Sequence, residues 1–225
     1  MATELSPNIQ DYLKQIYELT RVGGRASTSQ LAKALGISAA SVTNMLQKLS
    51  KTQPPYVTYE KHHGVRLTEA GRLTALKMIR RHRLIERYLV EKLGYSWDEV
   101  HKEAEILEHA MSPKLERRID AALGYPEFDP HGDPIPNANL DMPDVEQIPL
   151  TELEIGQSGR VIRVPNEDSQ ILRFLGKCGL HPRARVKLIA RTPYDQTMRV
   201  KIKDADDEAV VGPSLGSQIM LAVES

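Results

Sequence analysis

The sequence predicts an α+β multidomain protein, with a mainly helical first part followed by a small β barrel. Two observations predict this division. Up to about residue 124, apolar residues recur at helical spacing, as in Ile9, Leu13 and Ile16. From Leu150 onward, short alternating or apolar runs are separated by Gly, Pro or Asp, which is typical of strands. A stretch with six prolines, residues 125–149, lies between them. We therefore divide the chain into residues 1–74, 75–124, 125–149 and 150–225.

The composition limits the classes of protein that the chain can belong to. It has 225 residues, a formal net charge of +0 and one cysteine, so neither an intrachain disulfide framework nor a cysteine-based zinc site is possible. No apolar run reaches the roughly 18 residues of a membrane helix, and we expect a cytoplasmic protein. Residues 1–75 hold nine Lys or Arg against five acids, which hints at nucleic acid.

Residues 28–49 have the pattern of a helix-turn-helix. A helix from Thr28 ends at Gly36, which suits a left-handed position, and Ser38 caps a second helix. Short strand candidates at 57–59 and 65–67 follow as a hairpin or "wing", and an ordinary helical hairpin is the alternative. The candidate DNA-contacting residues are Thr28, Ser38, Ala39, Ala40, Ser41, Thr43, Asn44, Gln47, Lys48 and Arg66.

Two runs of His and Glu predict a metal site. On a helix opened by a Ser96–Glu99 capping box, His101, Glu105, Glu108 and His109 fall on one face. His82 and Glu86 share the face of an earlier helix. Charged side chains are rarely buried unless they are paired or bound to a metal. Either run alone is equally consistent with a solvated face, but two runs able to lie side by side favour a divalent cation with nitrogen and oxygen ligands.

The remaining segments give weaker indications. The stripe of Leu115, Ile119 and Leu123 on a helix after Ser112-Pro113 is either core or a dimer face. The proline-rich stretch is predicted to be extended and partly flexible, and its His131, between Asp129 and Asp133, to be solvated. Five short strands and one helix, about 168–178, make up the β part.

The order of these motifs closely resembles the diphtheria-toxin-repressor family of metal-dependent transcriptional regulators. The resemblance is carried by residues 11–19 of the first helix and the segments 81–87, 101–109 and 130–136, and it covers nearly the whole chain. It implies a winged helix-turn-helix DNA-binding domain, a helical metal-binding and dimerisation domain, and a C-terminal SH3-like, FeoA-like domain.

The resemblance also implies two metal sites. A primary site would use Asp11, Glu105, Glu108 and His109, with His82 able to join. A second would use His82, Glu86, His101 and an acidic or amide residue of the β domain, for which Asp168 is the first choice and Glu167 or Gln170 the reserve. Asp11 and Glu105 stand where iron-responsive members have Met and Cys, which indicates the manganese-responsive branch. The short members of that branch are expected to have a further acidic ligand at position 14, where this chain has Lys14. We expect one or two Mn²⁺ or Fe²⁺ ions per subunit.

The predicted function is a metal-activated repressor of metal-homeostasis genes. One ion bonding both Asp11 and the later helix would favour one arrangement of the chain, which a population shift requires. The resemblance implies a homodimer on a palindromic double-stranded operator, with no membrane and no small-molecule substrate. Two alternatives are a metal-dependent hydrolase, although the His-Glu-x-x-His motif is missing, and a constitutive winged-helix regulator whose His/Glu cluster is purely structural.

Overall fold

The computed structural model describes residues 5–21, 23–166, 168–203 and 207–224. Contacts divide the chain into two compact units: Met1–Arg81 with Pro136–Asp141, and His82–Ile135 with Met142–Ser225. No helix among the described residues is long and apolar enough to cross a membrane. In chain order the helices and strands are α1 (Pro7–Thr20), α2 (Thr28–Leu35), α3 (Ala39–Leu49), β1 (Val57–Glu60), β2 (Gly64–Leu67), α4 (Glu69–Leu93), α5 (Val100–Leu107), α6 (Pro113–Ala122), β3 (Ile148–Pro149), β4 (Ser158–Arg163), α7 (Ser169–Lys177), β5 (Arg185–Arg191), β6 (Met198–Ile202), β7 (Asp207–Val211), α8 (Pro213–Gly216) and β8 (Met220–Glu224).

The first unit contains the predicted helix-turn-helix and wing. Gly36 ends α2 in the left-handed conformation, with φ 65°, and its N–H bonds to carbonyls of the last turn. Ser38 caps α3, its Oγ accepting from the Ser41 N–H at 3.1 Å. β1 and β2 pair antiparallel as the wing. The apolar faces of α1, α2 and α3 share one core with the wing, and the winged-helix prediction is confirmed.

The helices of the second unit surround a separate small core. That core is formed by Leu84, Ile85, Leu89, Val100, Ala104, Met111, Ile119 and Ile135. α5 is shorter than predicted, because Ser96 Oγ bonds to the Glu99 carboxylate rather than to a backbone N–H, and the helix begins only at Val100. It ends at Leu107, leaving Glu108 and His109 in the turn that leads to Ser112 and the start of α6.

The β domain is a six-stranded antiparallel sheet in the order β3-β8-β4-β5-β6-β7. α7 lies between β4 and β5 in sequence and packs its buried Leu172 and Leu175 into the sheet's core. The five predicted strands and the helix are present. The strand that the sequence did not predict, β3, has only two residues and pairs with β8.

The segment 127–135 is packed rather than extended, so the prediction of a solvated His131 is wrong. His131 is fully buried, and Asp129 and Asp133 are almost fully buried. Gly132, with φ 89°, lies so close to β4 that a Cβ there would approach the Ile162 carbonyl oxygen to 1.8 Å. Local composition indicated a linker, whereas contacts with residues some 30 positions later in the chain bury this segment.

Candidate metal centre

A buried carboxylate, Glu86, lies at the centre of the candidate metal site. Helical spacing puts His82 and Glu86 on the same face of α4, and α5 supplies His101. Glu86 Oε1 lies 3.0 Å from His82 Nε2 and 3.2 Å from His101 Nδ1. Glu86 is fully buried, and the ligand atoms of these three residues all lie within 4.8 Å of one another. The structure therefore brings together three residues predicted for the second site.

The other oxygen of Glu86 faces a second group of donors. Glu86 Oε2 is 3.8 Å from His131 Nδ1, and Asp129 completes a group with the same 4.8 Å spread. Glu86 Oε2, Asp129 Oδ2 and His131 Nδ1 are all buried and have no hydrogen-bond partner among the described residues. Arg83 Nε lies 4.0 Å from Asp129 Oδ2. Buried polar atoms are normally satisfied, so three unsatisfied atoms on residues that form one potential ligand group fit a bound cation.

Electrostatics in this cluster are governed by burial and close charges. Burial opposes ionisation of Glu86, but His82, His101 and His131 together hold its pKa well below the usual range. Burial and the negative charges of Asp133 and Glu86 raise the pKa of Asp129 to about 8. Burial disfavours the His131 imidazolium, yet Glu86 and Asp129 raise its pKa to about 9. Asp129 and His131 therefore hold protons at neutral pH that a divalent cation would displace on binding, whereas Glu86 is already ionised.

Glu108 extends the arrangement on the other side of His82. It is fully buried, and its Oε2 is hydrogen-bonded to His82 Nδ1, so that imidazole lies between two carboxylates. His109 Nε2 lies 3.8 Å from Glu108 Oε1. Glu105 is half exposed, and its Oε1 lies 3.6 Å from His101 Nε2. Asp11 lies half-buried on α1 in the first unit.

The candidate DNA-contacting residues lie at the helix-turn-helix and the wing. Ser38, Ala39, Ala40, Ser41, Asn44, Gln47 and Lys48 are all exposed. Thr43 is partly buried and bonds back to the Ala39 carbonyl at 2.9 Å, and Thr28, at the start of α2, is also partly buried. Arg66 donates from Nε to the Gly24 carbonyl at 2.8 Å, which anchors the wing to the preceding loop.

Sequence comparison with known families covers nearly the whole chain. Residues 4–65 match the N-terminal DNA-binding domain of iron-dependent repressors, and residues 68–137 match the metal-binding and dimerisation domain of the same proteins. Residues 148–223 match the FeoA domain. The iron-dependent repressor IdeR of Mycobacterium tuberculosis is 33% identical over 195 residues, which is 81% of this chain and 84% of that protein. The chain belongs to the iron-dependent repressor family.

Other members of the family differ in how much of this repressor they match. The HTH-type transcriptional regulator MntR of Bacillus subtilis is 36% identical over 124 residues, 55% of this chain and 85% of its own. A solved manganese-dependent transcriptional repressor in complex with manganese is 39% identical, has a TM-score of 0.89 and covers 96% of this chain and 100% of its own. The chain is thus a metal-dependent transcriptional repressor and not an enzyme, and the hydrolase alternative is wrong.

The sequence did not single out Asp129 and His131 as site residues of this repressor. The available signal was a histidine between two aspartates next to glycine and proline, but its burial depends on distant contacts. Asp168 caps α7, its Oδ1 accepting from the Gln170 N–H at 2.8 Å, and the ligand groups found among the described residues do not include it. Gln170 is exposed, and Glu167 lies outside the described residues. Asp168 as a ligand stays a prediction.

Proposed function

We propose that Mn²⁺ activates this repressor for operator binding, with the buried carboxylate of Glu86 at the centre of its metal-binding region. The observation that supports this proposal is the environment of Glu86. It is fully buried between His82 and His101 on one side and His131 on the other, and its Oε2 has no hydrogen-bond partner within the described part of the chain. In a purely structural cluster this buried oxygen would stay without a hydrogen bond, whereas a bound cation would satisfy it.

We assign the ligands to two sites that share the His82–Glu86 region. The primary site would take Asp11 from the first unit with Glu105, Glu108 and His109, and the sequence resemblance supports that set. The second would use His82, Glu86 and His101, and His131 faces the other oxygen of Glu86. We propose Asp168 as its ligand from the β domain. A divalent cation supplies positive charge that neutralises these carboxylates and so favours one arrangement of the chain.

The donor atoms favour manganese over softer metals. The described groups offer imidazole nitrogens and carboxylate oxygens, and Cys178 belongs to none of them. The test is fluorescence anisotropy of promoter fragments from metal-transport genes at fixed salt, with chelator, Mn²⁺, anaerobic Fe²⁺ or Zn²⁺. We expect tight binding only with metal, at the lowest free concentration for Mn²⁺. Equal binding in chelator and metal would overturn the proposal.

The Glu108→Ala variant distinguishes metal-activated DNA binding from a purely structural role of the His/Glu cluster. Glu108 is fully buried and bonded to His82, so it serves either as a ligand or as a partner in an ion pair. A ligand role predicts that Glu108→Ala abolishes metal-dependent DNA binding. A structural role predicts that DNA binding persists and that dimer stability falls.

We propose that the repressor binds as a homodimer to a palindromic operator in the cytoplasm. Leu115 on α6 is half exposed, at a surface depression of about 510 Å³ whose lining includes Tyr88 and Ile119. Large exposed apolar side chains next to a depression suit an interface between copies of a chain. We expect Leu115→Glu to give monomers in sedimentation velocity, and an unchanged dimer would show that α6 is not the interface.

We also propose that the functional divisions follow residues 1–74, 75–124, 125–149 and 150–225. The DNA-reading part would be the first, and two copies of residues 38–48 would enter successive major grooves. Inverting one half of the operator tests the palindrome, because a symmetric dimer then loses half of its base contacts.

A further inference from the structure

We propose that Trp97 is a positioning residue for the second metal site, because its backbone carbonyl fixes which nitrogen of His131 faces Glu86 and a divalent cation. The inference rests on the proposed metal-binding function and adds a residue that supplies no ligand. It also gives the β domain a second contact with the site, in addition to the ligand proposed at Asp168.

The hydrogen bond from His131 to Trp97 determines the tautomer. His131 Nε2 lies 2.6 Å from the Trp97 carbonyl oxygen, and a carbonyl oxygen can only accept. Nε2 must therefore keep its proton. The ring nitrogen left to face a cation is Nδ1, the buried atom 3.8 Å from Glu86 Oε2. Outer partners of this kind are known to set the orientation and basicity of histidine ligands.

The β domain holds Trp97 in place. The indole stacks on the His131 ring with centroids 6.0 Å apart and planes 24° apart. It packs against the β-domain core at Gly176 of α7, where an added Cβ would lie 3.5 Å from the indole. The neighbouring Asp98 is paired with Arg173 of α7 at 3.1 Å. α7 therefore fixes the peptide that carries the accepting carbonyl.

The backbone of the His131 loop is fixed independently of Trp97. The Val164 N–H donates to the His131 carbonyl at 3.0 Å. Asp133 accepts from Arg163 and Asn166, both at 3.2 Å. Loss of the indole should thus disturb the orientation of the imidazole while leaving the loop on β4.

The test compares Mn²⁺ binding to the full chain in Trp97→Ala, Trp97→Phe and Arg173→Gln. Tyr194→Ala is the matched control, because Tyr194 is 99% exposed in the β5–β6 turn. Calorimetric titration and Mn²⁺ electron paramagnetic resonance give the affinity of each site. We expect Trp97→Ala to weaken one site by about 10- to 100-fold, as for other outer partners of ligands. Trp97→Phe should recover part of this loss, the other site should keep its affinity, and Tyr194→Ala should change neither.

A direct measurement of the tautomer keeps the inference testable if Trp97→Ala does not fold. In wild-type protein with ¹⁵N-labelled histidine and Zn²⁺ as the diamagnetic probe, long-range ¹H–¹⁵N spectra should show the His131 proton on Nε2. A proton on Nδ1 would overturn the proposal.

Glu86→Ala, titrated in parallel, tells the two possible failures apart. If it weakens Mn²⁺ binding and Trp97→Ala does not, the indole has no positioning role, the tautomer measurement decides for the backbone carbonyl, and the metal function stands. If neither variant changes Mn²⁺ affinity, the metal site itself has been placed wrongly.

Discussion

Replacing Glu86 by glutamine should remove most of the stabilisation that metal gives to the second unit. Glutamine keeps the size of the side chain but converts one oxygen into an NH₂ donor. In the wild-type protein Oε1 faces His82 and His101 while Oε2 faces His131, so the amide loses an acceptor on one side whichever way it is turned. Loss of a charged ligand should weaken Mn²⁺ binding at least about 100-fold, the upper end for outer-partner variants.

The linkage between Mn²⁺ binding and folding converts this loss of affinity into a smaller Mn²⁺-induced rise in melting temperature. A ligand at 100 times its Kd stabilises the folded state by about 2.7 kcal/mol, and a 100-fold weaker Kd leaves about 0.4 kcal/mol. His82–Ile135 and Met142–Ser225 form the unit concerned. For a unit of about 140 residues, 1 kcal/mol corresponds to roughly 4 °C. The Mn²⁺-induced shift in Tm should therefore fall from about 11 °C to about 2 °C.

Scanning calorimetry with chelator and with Mn²⁺ measures this shift in each variant. Glu91→Gln is the control, since Glu91 lies on the same helix but pairs with Arg87 at the surface.

The pKa of Glu86 is depressed in the folded protein, so its ionised form stabilises that state above the unfolded pKa of about 4.3, and this contribution is lost as pH falls through the folded pKa. Glutamine should therefore also lower the Tm in chelator at neutral pH. The contribution of the metal is therefore the Tm in Mn²⁺ minus the Tm in chelator. If this difference is as large in Glu86→Gln as in the wild-type protein, the reasoning is refuted.

Three further substitutions probe other parts of the molecule. Ser38→Ala removes the cap that accepts from Ser41 and should destabilise the first unit by about 1 kcal/mol in urea denaturation. Gly132→Ala places a Cβ against the Ile162 carbonyl and should displace the His131 loop, lowering Mn²⁺ affinity in calorimetric titration by at least about 10-fold. Lys48→Ala, at an exposed position of α3, should weaken operator binding evenly across sequences. In anisotropy titrations, the slope of log binding constant against log salt concentration should fall in magnitude by about 1.

Matched variants control these experiments. Gly156→Ala has the same left-handed backbone, with φ 90°, but no described residue has an atom within 4 Å of the added Cβ. This variant should therefore introduce backbone strain without weakening Mn²⁺ binding. Equal Mn²⁺ affinity in the Gly132 and Gly156 variants would mean that the loop does not position His131. Lys77→Ala, exposed on α4, should leave the salt slope unchanged. A Ser38→Ala protein as stable as wild type would show that the cap contributes nothing.

The elements that depend on neighbouring residues could be predicted from the sequence. The helix-turn-helix rests on Gly36 and Ser38, whose backbone and capping requirements act within one turn. His82 and Glu86 were predicted to share a face because helical spacing alone decides it. The predicted pairing of this run with His101 on a second helix was correct, since α4 and α5 are close in sequence and joined by a short turn.

The features that depend on distant residues could not be predicted. The sequence around His131 indicates a solvated histidine in a loop, because no neighbouring residue shows that Trp97 and the end of β4 bury it. The two ends of α5 differ from the prediction for local reasons instead: the Ser96 hydroxyl bonds to the Glu99 side chain rather than capping the backbone, and Ser112-Pro113 starts a new helix soon after Leu107. Asp168 illustrates a third case, since an aspartate before a helix is as suitable for capping as for metal binding.

The strand order of the β domain determines where its sheet could be extended. One edge is β3, which has two residues, and Pro149 has no N–H to donate. A strand cannot add there with a regular ladder. The other edge, β7, offers five residues with Val210 exposed, and the charged Glu208 lies on the same strand. A charge on an open edge discourages pairing between copies of a chain. A strand that extends this sheet with a regular ladder would therefore add along β7 and would meet the Glu208 carboxylate, which opposes edge-to-edge pairing.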